Sequence, residues 1–267
     1  MRFMIAEPSA VARRGQSLDN FFVDAPEPNH STTEPDIPGF RRDRCASYLA
    51  GTEGSPPRAQ LLTAIRALAA RSSNVGSHAP HLLTSDGSPV VRDRRARALD
   101  IGCGPGREVV SLRSAGFEVD AIDPYPEMLH RTRETLLAAG FDVGDGLLER
   151  ATLEEFVGSL KPVRYDLVHA GFVLPFVRPS HFQMCWDAIV SSLKPCGVFA
   201  GQFFGPNDEF VRAASPSDMT SHTAAEITAI FQDWEVIERE EVDRAGCIGR
   251  GAPKHWHVHH VVALKRS

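Results

Sequence analysis

The stretch Ala98-Leu99-Asp100-Ile101-Gly102-Cys103-Gly104-Pro105-Gly106-Arg107 decides the fold. A short apolar run closes on an acid, glycines follow at 102, 104 and 106, and Glu108, Val109, Val110 and Leu112 then fall at helical spacing. The pattern predicts a strand, a tight turn and a helix. Glycine serves where the backbone takes positive φ or must approach a ligand, and the first turn of the helix offers unpaired N–H groups and the positive end of its dipole. The turn is therefore the candidate ligand site.

A glycine turn alone also fits a nicotinamide-binding crevice. Two neighbours narrow the reading. Asp100 stands just before the first glycine, where it would repel a pyrophosphate but accept from an ammonium group. Phe117-Glu118-Val119-Asp120-Ala121-Ile122-Asp123 predicts a second strand that also ends in an acid, placed to reach ribose hydroxyls.

LDIGCGPG and AIDPYPEML together resemble the first two motifs of the class I S-adenosylmethionine-dependent methyltransferases. The resemblance implies a Rossmann-like fold, a doubly wound, mostly parallel seven-stranded sheet with a reversed last strand. It also implies S-adenosylmethionine as cofactor. Asp100, Gly102, Cys103, Gly104, Gly106 and Arg107 would cradle its methionine part, with Asp123, Pro124 and Tyr125 at the ribose. Thr152 and Leu153 follow the third strand, where the family often sets an acid against the adenine. Thr152 departs from that pattern and is either a helix cap or an adenine neighbour. Ala170, closing the fourth strand, completes the cofactor set.

Over 267 residues there is room for one sizeable α/β domain and an appendage. Residues 1–55, rich in Pro, Ser, Asp and Glu, read as a partly disordered arm, with a helical stretch around 42–50; the methyltransferase domain is expected over 56–267. From Pro57, placed as a first-turn proline, Leu61, Ile65, Leu68 and Ala69 share one helical face. Ser72 to Pro89 reads as loop. Further helices are expected over Pro126 to Ala139, stopped by Gly140; from Thr152 through a Thr-x-x-Glu capping box; from Ser180, as cap, to about Leu193; and over Ser221 to Phe231. Further strands are expected over Gly146 to Ala151, Tyr165 to Ala170, Gly197 to Phe204, Glu235 to Val242 and His255 to Leu264. A loop too short for a crossover joins the last two, so they pair antiparallel. That separates the chain from an all-parallel nicotinamide fold.

The net charge of −5, with no long block of one sign, argues against a protein that grips nucleic acid through its phosphates. No apolar run reaches membrane-spanning length and the N-terminus lacks a secretory pattern, so a cytoplasmic location is expected. Five scattered cysteines, without a CxxC pair, read as reduced thiols. Cys103 reads as a small residue that fits the turn rather than a nucleophile.

The acceptor side is less sharply written. Phe172 and Phe176 follow the fourth strand and either line the substrate or pack the core; Gln202, Phe204 and Trp256 join them as lining candidates. His169 is a general base if it points out of the sheet, and otherwise a satisfied core histidine. His257 and Asp208 are the other candidate bases. The segments around Phe199 to Phe210 and Lys254 to Val258 resemble bacterial tellurite-resistance-type methyltransferases of uncertain substrate. Tyr48 and Arg58 match an aromatic and an arginine in that group, Arg58 otherwise being a solvated first-turn charge. His255, His257 and His259 share one strand face, yet consecutive ones lie about 6.6 Å apart, too far to close on one ion unaided. No metal is expected.

Methyl transfer to a small-molecule acceptor is the function these features imply, with no nucleic acid or membrane partner; the oligomeric state is not legible. A nicotinamide-dependent oxidoreductase and a non-catalytic module that binds S-adenosylmethionine or S-adenosylhomocysteine are the alternatives.

Overall fold

The apolar run ending in Asp100 becomes β1 (Arg97–Ile101), and the rest of the sheet is laid down on either side of it. The computed structural model describes residue 49 and residues 54–75, 96–144, 148–248 and 251–266. The arm expected over 1–55, its helix at 42–50 and Tyr48 fall almost wholly outside the described residues. In chain order the regular elements are α1 (Ala59–Val75), β1, α2 (Arg107–Ser114), β2 (Glu118–Asp123), α3 (Pro126–Ala138), β3 (Leu148–Arg150), α4 (Leu153–Phe156), β4 (Tyr165–Ala170), α5 (Pro179–Ser192), β5 (Leu193–Phe204), α6 (Glu209–Ala213), α7 (Ala224–Ile230), β6 (Trp234–Cys247) and β7 (Pro253–Lys265).

The seven strands form one sheet in the order β3-β2-β1-β4-β5-β7-β6. The first five run parallel, and β7 is antiparallel to both β5 and β6. This is the Rossmann-like methyltransferase arrangement with its reversed last strand. Side chains alternate across the sheet. Leu99, Ile101, Val168, Phe199 and Phe203 pack against Phe182, Trp186 and Ile189 of α5 and Ile227 of α7 on one face. Ala98, Leu167, Ala200 and Val262 pack against Leu61 and Ala64 of α1, Leu112 of α2 and Leu129 of α3 on the other.

Local chemistry sets most element ends. Gly140 takes φ 81 just beyond α3, a conformation that ends a helix at little cost to glycine. Thr152 and Glu155 form both halves of a capping box at the start of α4, and Thr223 with Glu226 do the same for α7. Three expectations need correction. Ser180 does not cap α5: Pro179 occupies the first helical position behind Arg178, because proline's fixed φ and missing N–H suit the first turn. β5 starts at Leu193, four residues before Gly197, since Cys196 (φ 62) absorbs the irregularity inside the strand instead of ending it. α1 begins at Ala59, after Pro57, and carries Ser72 in its last turn.

Candidate active site

The glycine turn lies over the carboxyl ends of β1 and β2, where an open α/β sheet binds its ligands. Gly102 and Cys103 donate their N–H groups to the Ile122 carbonyl at 2.8 and 3.0 Å, which ties the turn to β2. Two glycines are required. A Cβ on Gly102 would lie 2.2 Å from the Val173 side chain, and one on Gly106 (φ 83) would lie 2.9 Å from the Thr132 Cα. Asp123 is locked to the same turn: its carboxylate accepts the Gly104 N–H at 2.9 Å and the Tyr125 N–H at 3.0 Å. Burial raises its pKa to about 6, against the pull of those two donors, and nearby Asp100 adds to the rise.

Cys103 is buried, its sulfur 3.6 Å from the Thr132 hydroxyl. Burial, then Asp123 and Asp100, push its thiol well above the usual range. A protonated thiol packed among apolar side chains is no nucleophile.

Beneath the turn, His169 of β4 stands beside Asp100 of β1 by parallel register. Its Nδ1–H donates to Asp100 Oδ1 at 2.7 Å, and both side chains are at most 2% exposed. Burial raises the Asp100 pKa while the hydrogen bond and charge of His169 oppose that rise. Asp100 Oδ2 and His169 Nε2 are buried with no hydrogen-bond partner among the described residues.

Gly102, Cys103, Gly104, Pro105, Arg107, His169 and Gly171 line a cavity of about 30 Å³ together with Arg58 and Glu108. Arg58 leans in from the segment before α1, its guanidinium 4.6 Å above the Phe172 ring and 3.7 Å from Glu108. It is not the solvated charge that its place in the sequence suggests. Burial works against the Glu108 carboxylate, but the charges of His169, Arg107 and Arg58 hold it below the usual range. Glu108 shows in the sequence only as a first-turn acid, with no signal that it turns inward.

Past β4, the chain turns at Gly171 and Phe172, the latter at φ 59. Phe172, Phe176, Phe204 and Trp256 meet in one cluster with Phe210, Met219 and Val258. Phe172 lies 5.7 Å from Trp256 and 6.0 Å from Phe204, ring centre to ring centre, edge to face. Gln202 is fully buried behind this wall, accepting the Phe172 N–H at 3.2 Å and donating to Gln60. It holds the wall rather than lining it.

Two candidate bases and three cofactor neighbours have other work. Asp208 accepts from the Lys254 ammonium through both oxygens, one at 2.6 Å, and from the N–H groups of Phe210 and His257. Lys254, which sequence reading passed over, is buried with its ammonium 3.6 Å from the Trp256 ring centre and 4.4 Å from that of Phe210. His257 accepts the Asn207 N–H at Nδ1 and donates from Nε2 to Glu241 at 2.9 Å, so neither ring nitrogen is left to move a proton. Thr152 spends its hydroxyl on the Glu155 N–H as a cap. The side chains of Leu153 and Ala170 pack in the apolar core on one face of the sheet.

The histidine string does gather a group of a different make-up from the one its spacing suggests. Glu241, on the paired strand β6, joins His257 and His259 with ligand atoms within 4.8 Å of one another. A neutral His257 that accepts at Nδ1 keeps its proton on Nε2, the atom facing Glu241, so the group is wired as a hydrogen-bonded pair.

Residues 98–197 match the family model described as a methyltransferase domain. Over that stretch the chain is similar to methyltransferase domains. Trans-aconitate 2-methyltransferase of Rhizobium leguminosarum is 29% identical over 156 residues, which cover 56% of this chain and 51% of that protein. The chain spans about half the length of the curated relatives it matches. Among solved structures, a candidate sarcosine dimethylglycine methyltransferase from Galdieria sulphuraria superposes with TM-score 0.55 at 15% identity, over 84% of this chain and 98% of that one. TehB from Haemophilus influenzae does so with TM-score 0.51 at 15% identity, over 65% and 59%. At such identities the likeness to both structures is one of fold. S-adenosylmethionine, the cofactor that the resemblance implies, suits this site: Asp100 Oδ2 is a buried acceptor for an ammonium, without a partner among the described residues, Arg58 a cation for a carboxylate, and Asp123 an acceptor for a diol. Among the described residues no helix is long and apolar enough to cross a membrane.

Proposed function

We propose that this protein moves a methyl group from S-adenosylmethionine to a small-molecule acceptor by in-line displacement. The observation that carries the reading is the joint between the glycine turn and Asp123, since the Gly104 N–H to Asp123 bond sets the ribose acceptor and the methionine cradle in one rigid piece. The bound cofactor supplies an activated methyl group on a positively charged sulfur. The chain's residues then have to position and to exclude water, which can supply about 7–11 kcal/mol of barrier lowering.

Asp123 would bind the two ribose hydroxyls, and Asp100 Oδ2 the amino group. Arg58 would exchange Glu108 for the methionine carboxylate, swinging out of the cavity it now narrows. Phe172, Phe204 and Trp256 form the apolar side from which the acceptor approaches, and Lys254 with Asp208 holds that wall from behind. The substrates named for the rhizobial relative and for the Galdieria protein differ from each other but are both small molecules, which favours an acceptor of that size. The 1–55 arm is proposed to lie outside the catalytic domain.

Calorimetry with S-adenosylmethionine, S-adenosylhomocysteine and a nicotinamide dinucleotide tests the reading. Saturable heat with the first two and none with the dinucleotide is expected; the reverse pattern refutes it. Tight cofactor binding with no methylation across a broad acceptor panel would instead favour a non-catalytic module.

A further inference from the structure

Asp100 Oδ2 and His169 Nε2 are buried on neighbouring strands with no hydrogen-bond partner among the described residues. His169 Nδ1 is committed to Asp100 Oδ1, which leaves Nε2 as the ring nitrogen available to a ligand. That nitrogen has no partner among the described residues. The Nδ1 atoms of His181, His222, His259 and His260 are likewise buried without a partner among the described residues, and His169 differs from them in bordering the cavity. The ring borders the cavity, and Gly171 leaves it uncovered: a Cβ there would come within 2.7 Å of His169 Cε1 and 3.2 Å of Nε2. The next residue, Phe172, turns its ring beneath Arg58 and edge-on to Trp256 and Phe204.

We propose that His169 is the general base of this site, positioned by Asp100, and that the acceptor is a neutral planar hydroxyl compound of the phenol or enol type. The inference rests on the methyl-transfer reading above and names its substrate class. As the acceptor oxygen forms its bond to the methyl carbon and the carbon–sulfur bond breaks, the hydroxyl proton passes to His169 Nε2. The sulfur leaves as a neutral thioether. Asp100 holds the tautomer and stabilises the imidazolium. Arg58, which the methionine carboxylate engages in the reading above, and Glu108 of α2 border the same cavity, and Glu108 favours the imidazolium. A carboxylate acceptor arrives without a proton and would leave the dyad idle, whereas an aliphatic alcohol is too weak an acid for an imidazole. Phe172 and Trp256 suit a flat ring.

The test uses the full chain saturated with S-adenosylhomocysteine and 4-nitrophenol as an optical probe, read at a pH below the probe's free midpoint. Bound 4-nitrophenol is expected to absorb as phenolate in the unaltered protein. His169→Gln, kept saturated with S-adenosylhomocysteine, should lower the probe's ionisation constant at least tenfold. Asp100→Asn should lower it at least threefold. Nitrogen-15 spectra of the unaltered protein should show His169 protonated at Nδ1, a readout that decides the matter even where a variant fails to fold. Equal ionisation in the unaltered and His169→Gln proteins, no binding of 4-nitrophenol to the saturated protein, or a proton on Nε2 overturns the proposal while the methyl-transfer reading survives. Absence of heat with S-adenosylhomocysteine itself removes both.

Discussion

Replacing Asp123 with alanine separates what its carboxylate does for the fold from what it does for the cofactor. The carboxylate accepts two backbone N–H groups, from Gly104 and Tyr125, while only 5% exposed. Its loss strands both donors, at about 1–3 kcal/mol each. Against that stands the burial of a charge. With its pKa raised from 3.8 to about 6, the folded state binds more protons than the unfolded state between those values. Stability therefore falls as pH rises through that window, and above it the ionised carboxylate costs the fold about 3 kcal/mol. Alanine carries no such cost. Asp123→Ala is thus expected to be close to the unaltered protein in stability at pH 7.5, and less stable at pH 4 by about 2.4 kcal/mol more than at pH 7.5, in urea titrations at the two pH values. Cofactor affinity follows the opposite direction, because the ribose hydroxyls need the ionised acceptor. At about 1.5–3 kcal/mol for a charge-assisted bond, the variant should bind S-adenosylhomocysteine at least tenfold more weakly at pH 7.5. In the unaltered protein affinity should drop as pH falls below about 6, and in the variant that dependence should vanish. Unchanged affinity at pH 7.5 would refute the ribose assignment, and a stability difference independent of pH would refute the buried charge.

Gly106→Ala meets the Thr132 backbone at 2.9 Å in a left-handed conformation, so a loss of about 2 kcal/mol or more, roughly 5 °C in Tm, should accompany the loss of cofactor binding in a calorimetric scan. Thr152→Val should cost about 1 kcal/mol in urea unfolding through the lost cap and leave S-adenosylhomocysteine affinity within twofold; a tenfold loss would return Thr152 to the adenine site. Lys254→Met abandons the buried Asp208 carboxylate and should cost about 3–5 kcal/mol, of which Lys254→Met with Asp208→Asn should recover at least about 1 kcal/mol in the same assay. Additive losses in that double variant would mean that the pair's charges are not coupled.

What could be read from the sequence was whatever depends on neighbours along the chain. The glycine turn, the acids closing β1 and β2, Gly140 and the two capping boxes involve residues within a few positions of one another, and their stereochemistry has few solutions. Ser180 misled because a hydroxyl near a helix start is a cap in one register and a first-turn residue in the next, and Pro179 settles which. The roles that escaped depend on pairings far apart in sequence. Nothing near Asp208 signals that Lys254 takes both its oxygens, nor does anything near Arg58 signal the Phe172 ring beneath it. A lone histidine on a buried strand gave no hint that Asp100 stands next to it until the parallel register of β1 and β4 was in view.

That register also explains why a sheet gathers this chemistry at one edge. Parallel neighbours end together, so Asp100, Asp123 and His169, each at or next to the last residue of its strand, come to the same side of the sheet without any local sequence requirement. The aromatic wall needs the opposite arrangement. Phe204 closes β5, while Trp256 lies near the start of β7, a strand of 13 residues that extends about 40 Å. Were β7 parallel to β5, its opening residues would sit at the far edge, away from the glycine turn. Antiparallel pairing sets Phe204 against Val258 and so carries Lys254, Trp256 and His257 up to the carboxyl ends of the parallel strands. Reversal of this one strand is thus what brings the aromatic wall to the same edge of the sheet as the glycine turn, and it is the reason residues some fifty positions apart in sequence, Asp208 and Lys254 among them, form a single structural unit behind it.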